Sequence, residues 1–125
     1  MAKKVLVVDD DPDIRMINVN VLEENGYTPI QAENGEEGFQ MVKKEKPDLL
    51  ILDVMMPRKN GYELCNEIKK DDEFKDITVL LLTAVADAIP FTTYTHMDGK
   101  STLADDFIPK PIDLDNLMEI VRDNL

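Results

Sequence analysis

With 125 residues, 43% hydrophobic and 32% charged, the chain is long enough for one domain with its own core and too short for two. The balance of 26 acidic against 14 basic residues gives a formal charge of -12; with the basic residues scattered and flanked by acids, this excludes direct nucleic-acid binding by phosphate neutralisation. A single cysteine, Cys65, rules out an internal disulfide framework or a four-cysteine zinc site, and no apolar run approaches the roughly 18 residues of a membrane span, so a cytoplasmic domain with no membrane contact is expected.

Val5-Leu6-Val7-Val8 opens the chain as a short, continuous apolar run of the kind expected for a strand covered on both faces. Asp11-Pro12 then starts a helix carrying Ile14, Ile17, Val21 and Leu22, closed by Gly26. Tyr27 to Gln31 reads as a weaker strand, and Pro29 marks it as an edge. Asn34, with Glu37 three residues later, starts a second helix through Phe39 and Val42. Leu49-Leu50-Ile51-Leu52 is the next buried strand. Asn60 with Glu63 starts a third helix bearing Leu64, Cys65 and Ile68, where Cys65 reads as a small buried hydrophobe. Val79-Leu80-Leu81-Leu82 is the fourth strand. Phe107-Ile108, followed at once by Pro109, is a second edge strand, and a last helix starts near Asp113 with Leu114, Leu117, Met118 and Val121 on one side.

Repeated alternation of strand and helix implies a three-layer, doubly wound α/β domain over residues 1–125, a five-stranded parallel sheet with helices on both faces. Right-handed crossovers, with the proline-bearing strands outermost, give the flavodoxin-like order 2-1-3-4-5. In such sheets the ligand crevice lies outside the carboxyl ends of the strands. There the sequence sets Asp9 and Asp10 after the first strand, Asp53 after the third, Thr83 after the fourth and Lys110 after the fifth.

Three converging carboxylates repel one another and call for a cation. Hard oxygen ligands with no nearby histidine or cysteine favour Mg²⁺, with Mn²⁺ as an alternative. A calcium loop starting at Asp9 fails, because its sixth and twelfth positions are Ile14 and Asn20 rather than Gly and Glu. Lys110 and Thr83 acquire a role if a phosphoryl group joins the site, and Asp53 is placed to be the nucleophile that accepts it. Asp11 reads as a helix cap. The dispersed glycines make neither a nucleotide loop nor a dinucleotide fingerprint.

Val7-Val8-Asp9-Asp10-Asp11, Leu52-Asp53-Val54-Met55-Met56-Pro57 with Gly61 beyond, Leu82-Thr83-Ala84, and Phe107-Ile108-Pro109-Lys110-Pro111 together resemble the receiver domain of two-component response regulators, in the standalone, chemotaxis-regulator-like form. The resemblance implies a phosphorylation-dependent signalling switch rather than a turnover enzyme, with Asp53 accepting phosphate from a histidine kinase or phosphotransfer protein. It implies Asp10 as a direct Mg²⁺ ligand, Asp9 as a supporting one, Asp53 itself, and the Met55 carbonyl as a further ligand. Thr83 and Lys110 would contact the phosphoryl group, Ala84 would be the small residue beside it, and Phe107 would be the switch aromatic coupled to Thr83. As a residue in its own right, Phe107 suits a plain edge-strand core position equally well. Unless the chain is a fragment of a longer regulator, output would run through another protein and could involve a phosphorylation-linked homodimer. A docking module with this fold but no phosphorylation is the alternative.

Two departures from the family pattern stand out. Thr83 and Lys110 are 27 positions apart (110 minus 83), more than the family usually places between them. The intervening 85–103 carries Pro90, Gly99 and several threonines, so an irregular fourth-helix region is expected there, with short helical turns at most, over Ala84 to Ile89 and Ser101 to Asp105. Met55 and Val85, two positions beyond Asp53 and Thr83, are apolar, which predicts a long-lived phosphoaspartate because neither can orient attacking water.

Overall fold

In the computed structural model the described residues are 3–54, 60–84, 104–110 and 112–125, with residues 84, 109 and 110 described by backbone alone. The strands are β1 Lys4–Val8, β2 Thr28–Ala32, β3 Leu49–Asp53, β4 Thr78–Ala84 and β5 Asp106–Lys110. The helices are α1 Pro12–Glu24, α2 Gly35–Glu45, α3 Gly61–Lys70 and, after β5, α4 Leu114–Asp123. All strands pair in parallel in the order β2-β1-β3-β4-β5, the expected doubly wound arrangement. The region 85–103, expected to be irregular, lies outside the described residues, as do Met55 and Val85.

Alternation along the strands divides the core in two. Leu6, Val8, Leu50, Leu52, Val79 and Leu81 pack on Val42, Leu64, Cys65 and Ile68 of α2 and α3. Val5, Val7, Leu49, Ile51, Leu80, Leu82 and Ile108 pack on Val19, Val21 and Leu22 of α1 and on Leu117, Met118 and Val121 of α4. Each fully buried aliphatic side chain contributes roughly 1.5–3 kcal/mol relative to exposure. The prolines sit on the outermost strands, Pro29 beside Val5 and Pro109 beside Thr83, where a missing N–H costs the ladder least.

Side-chain caps fix the helix starts. Asp11 accepts from the Asp13 and Ile14 amides, Asn34 from Glu37, and Asp113 from Asp115 and Asn116. Asn60 and Glu63 form a reciprocal capping box at α3. At α2 the reach back differs from that pattern: Glu37 accepts from the Glu33 amide rather than from that of Asn34.

Three details correct the expectations. On α1, Ile17 is 46% exposed while Asn18 and Val19 are buried. Successive helical residues are about 100° apart, so once Ile14, Asn18 and Val21 face the sheet, Ile17 swings to the rim. On α4, Leu114 is the first helical residue and is exposed, leaving Leu117, Met118 and Val121 as the packed face. The fourth strand continues through Thr83 and Ala84, because β5 pairs with it to that point; Ala84 therefore belongs to the strand and does not begin a helical turn.

Candidate functional site

The parallel sheet brings the carboxyl ends of β1, β3, β4 and β5 to one rim. Val8 is level with Leu52 across β1 and β3, so the next residues, Asp9 and Asp53, come level too. Asp53 is in turn beside Leu82 of β4, and Ala84 is beside Lys110 of β5. One carboxylate oxygen from each of Asp9, Asp10 and Asp53 lies within 4.8 Å of the others. Asp9 and Asp53 are buried, at 1% and 3% exposure, whereas Asp10 is exposed. Thr83, 2% exposed, is a further buried polar group at the rim. The backbone of Lys110 is at this rim, and Met55 and Val85 are outside the described residues.

Residue parity distributes these groups over the two faces. Asp53 follows Leu49 and Ile51 toward the α1–α4 side. Thr83 follows Val79 and Leu81 toward the α2–α3 side, and Phe107, level with Leu81, packs there as a half-buried residue. Thus Thr83 and Phe107, predicted to act together, occupy one face of neighbouring strands.

The loop carrying the acids is short and tied at several points. The Asp9 amide donates to the Ala32 carbonyl of β2 at 3.1 Å. Asp9 Oδ1 accepts from the Asp11 amide at 2.9 Å, so part of its carboxylate closes the turn into α1. The Asp9 carbonyl accepts from Arg15 Nη1 at 2.7 Å, and Arg15 Nε donates to Gln31 Oε1 at 3.2 Å. Neither the Arg15 contact nor the closeness of Gly61 to β3 emerges from sequence reading. The available signals were a basic residue one turn into a helix that follows three acids, and a glycine directly after a cap.

The Gly61 amide approaches the Val54 carbonyl at 3.4 Å, and a Cβ built on Gly61 would lie 2.5 Å from the Asp53 carbonyl oxygen. The start of α3 is therefore seated directly on the end of β3.

Ionised together, Asp9 and Asp53 alone would repel by on the order of 3 kcal/mol at an effective dielectric near 20. A divalent cation relieves this. An all-oxygen donor set of two buried carboxylates and one exposed one fits Mg²⁺, which usually takes one or two carboxylates and keeps waters and phosphate oxygens in its shell.

Residues 5–122 match the family model described as the response regulator receiver domain. Among curated proteins, the chain is 38% identical over 122 residues to the response regulator MprA of Mycobacterium ulcerans, covering 98% of this chain and 50% of that protein. It is 34% identical over 120 residues to the DNA-binding dual master transcriptional regulator RpaA of Synechocystis, covering 95% of this chain and 47% of that one. The chain thus spans about half the length of the curated relatives it matches. Among solved structures it superposes on the signal receiver domain of a signal transduction histidine kinase from Syntrophus aciditrophicus with a TM-score of 0.87 at 35% identity, covering 99% of this chain and 90% of that one. The chemotaxis response regulator CheY4 of Vibrio cholerae gives 0.86 at 26% identity, with both chains fully covered.

Proposed function

The chain belongs to the response regulator receiver family, and from that membership we propose that residues 1–125 form one receiver domain, a two-component switch controlled by phosphorylation of Asp53. The observation that supports this most is the meeting of Asp9, Asp10 and Asp53 within 4.8 Å at the carboxyl ends of adjacent parallel strands.

Asp53 is the nucleophile. One of its carboxylate oxygens attacks the phosphorus of a phosphohistidine on a histidine kinase or phosphotransfer protein; the new O–P bond forms as the P–N bond breaks, and the electron pair leaves with the imidazole. Bound Mg²⁺ would offset the charge of the phosphoryl oxygens. Asp10, exposed beside the buried pair, would be the direct ligand, and Asp9, whose Oδ1 already closes the turn, would support it together with Asp53 and, as the family pattern implies, the Met55 carbonyl. Thr83 and Lys110 hold the phosphoryl oxygens by a hydroxyl and an ammonium. Ala84 leaves room beside them, while Met55 and Val85, being apolar, neither orient nor activate water for hydrolysis. Because Thr83 and Phe107 share one face of β4 and β5, a shift of Thr83 toward the phosphoryl group is coupled to the position of Phe107.

The output is a changed surface for a downstream protein or for a second copy of the chain, in the cytoplasm. The domain itself makes no direct contact with nucleic acid, as its charge of -12 favours. Among the described residues no helix is long and apolar enough to cross a membrane.

Incubation with acetyl phosphate and Mg²⁺, followed by intact-protein mass measurement, tests the reading. The expected result is a gain of one phosphoryl group that is absent from Asp53→Asn and absent when the metal is chelated. No adduct on the unaltered chain, or an equal adduct on Asp53→Asn, would remove Asp53 from this role.

A further inference from the structure

We propose that Arg15 is a positioning residue for the cation site, holding the acidic loop in its binding geometry without contacting the ion; the inference rests on the metal reading given above. Only Asp9, Asp10 and Asp11 separate the end of β1 from the start of α1. Asp11 is pinned as the α1 cap, its Oδ1 accepting from the Asp13 and Ile14 amides at 2.9 and 3.3 Å. Asp9 is held through its amide by Ala32, through its Oδ1 by the Asp11 amide, and through its carbonyl by Arg15. Asp10 stands between two fixed neighbours, so its position is inherited from theirs.

Of these three contacts, that of Arg15 comes from a side chain outside the loop. Its guanidinium stands one turn into α1, donates from Nη1 to the Asp9 carbonyl at 2.7 Å, and donates from Nε to Gln31 Oε1 on β2 at 3.2 Å. The fork therefore ties loop, helix and edge strand together. Mutual repulsion among three clustered carboxylates pushes the loop outward when no cation is bound, and this brace opposes that push. A planar guanidinium can hold two divergent acceptors at once; a lysine ammonium on a flexible stem cannot hold both in fixed directions.

Two physical roles for Arg15 predict opposite signs. If its positive charge merely competes with the cation, its removal tightens metal binding. If it positions the loop, removal weakens binding, and Lys does not restore it. Outer-shell partners of metal ligands commonly matter by 10–100-fold in affinity, and with one carbonyl contact at stake the expected loss is about tenfold.

The experiment titrates the full chain with Mn²⁺, reading free ion by electron paramagnetic resonance, for the unaltered protein, Arg15→Gln, Arg15→Lys and Gln31→Leu. Far-UV circular dichroism and thermal midpoint are recorded without metal. Weaker binding by about tenfold in Arg15→Gln and nearly as much in Arg15→Lys, a smaller loss in Gln31→Leu, and little change in the metal-free midpoints support the positioning role. Unchanged or tighter binding in Arg15→Gln, or full restoration by Lys, overturns it while leaving the metal reading intact. If Arg15→Gln does not fold, Arg15→Lys and Gln31→Leu decide the same question. Failure of the unaltered chain to bind Mn²⁺ overturns both the metal reading and the role given to Arg15.

Discussion

Gly61 meets Asp53 so closely that a Cβ at position 61 would stand 2.5 Å from the Asp53 carbonyl oxygen and 3.0 Å from the Val54 Cα. Both obstacles are backbone, which cannot swing aside as a long side chain can. The only relief for an alanine there is to lift the start of α3 off the end of β3. Gly61→Ala should therefore cost about 1–3 kcal/mol, the range for forced overpacking, measured by urea unfolding. It should also slow acceptance of phosphate from acetyl phosphate, since Asp53 ends the strand that is displaced. Unchanged stability together with unchanged phosphorylation would show that α3 adjusts freely and that the close seat is dispensable.

Removing metal and removing charge should act oppositely on the rim. Asp9 and Asp53 are buried near each other with Asp10 alongside, so repulsion among their charges is expected to lower the stability of the metal-free chain. Asp53→Asn should then be more stable than the unaltered chain in the presence of a chelator, and should gain less from Mg²⁺. At a hundred times its dissociation constant the ion should stabilise the unaltered chain by about 2.7 kcal/mol. Paired thermal melts of the two proteins, each with Mg²⁺ and with chelator, provide the test. Equal stabilisation of both by Mg²⁺ would place the ion away from Asp53.

The rim was legible in the sequence because strand ends are punctuated by chemistry: an apolar run stops at Asp9, at Asp53 and at Thr83, and parallel pairing aligns those stops. Caps were legible for a similar reason, since Asp11, Asn34, Asn60 and Asp113 act on amides two or three residues away. Contacts between distant segments carried no such signature. Arg15 reaches the Asp9 carbonyl, which any residue would present, and Gly61 is required by the backbone of another element. The buried face of α1 was misread because an apolar tally favours Ile17 over Asn18, whereas the geometry of packing on the sheet chose the asparagine. Lys46, at φ 48°, ends α2 in the left-handed region where glycine would be the usual choice, so the local signal for that stop was missing as well.

Lys69 ties the end of α3 to Asp105, the residue just before β5, the strand that holds Phe107. Its Nζ lies 2.7 Å from Asp105 Oδ2 and 2.7 Å from the Ile77 carbonyl, with the side chain only 12% exposed. Asp105 Oδ2 also accepts from the Val79 amide at 2.8 Å, while the Asp105 amide donates to the Val79 carbonyl. Lys69→Met keeps the aliphatic stem but leaves the Ile77 carbonyl and the Asp105 carboxylate without the ammonium. A loss of about 1.5–3 kcal/mol is expected, the range for hydrogen bonds to charged groups. Urea unfolding at low and high salt measures it, and the loss should persist at high salt because the ammonium is sheltered. A loss that disappears on adding salt would make this an ordinary surface pair.

Asn18 is the opposite case, a polar side chain whose removal should help. It is fully buried on α1, and among the described residues neither its Nδ2 nor its Oδ1 has a hydrogen-bond partner. Each such group forfeits its hydration without compensation, at a cost of about 1–3 kcal/mol. Leucine has the same branching at Cγ, so it fills nearly the same space while placing methyl groups where the amide stood, next to Val21 and Leu22 of the same buried face. Asn18→Leu should raise stability by roughly 1–3 kcal/mol, seen as a higher urea midpoint with an unchanged slope. Asn18→Ala should gain less, because relief of the amide is offset by the cavity it leaves. A lower midpoint in Asn18→Leu would mean that the amide is satisfied in solution by an enclosed water, and that α1 is built around that water rather than around a missing apolar residue.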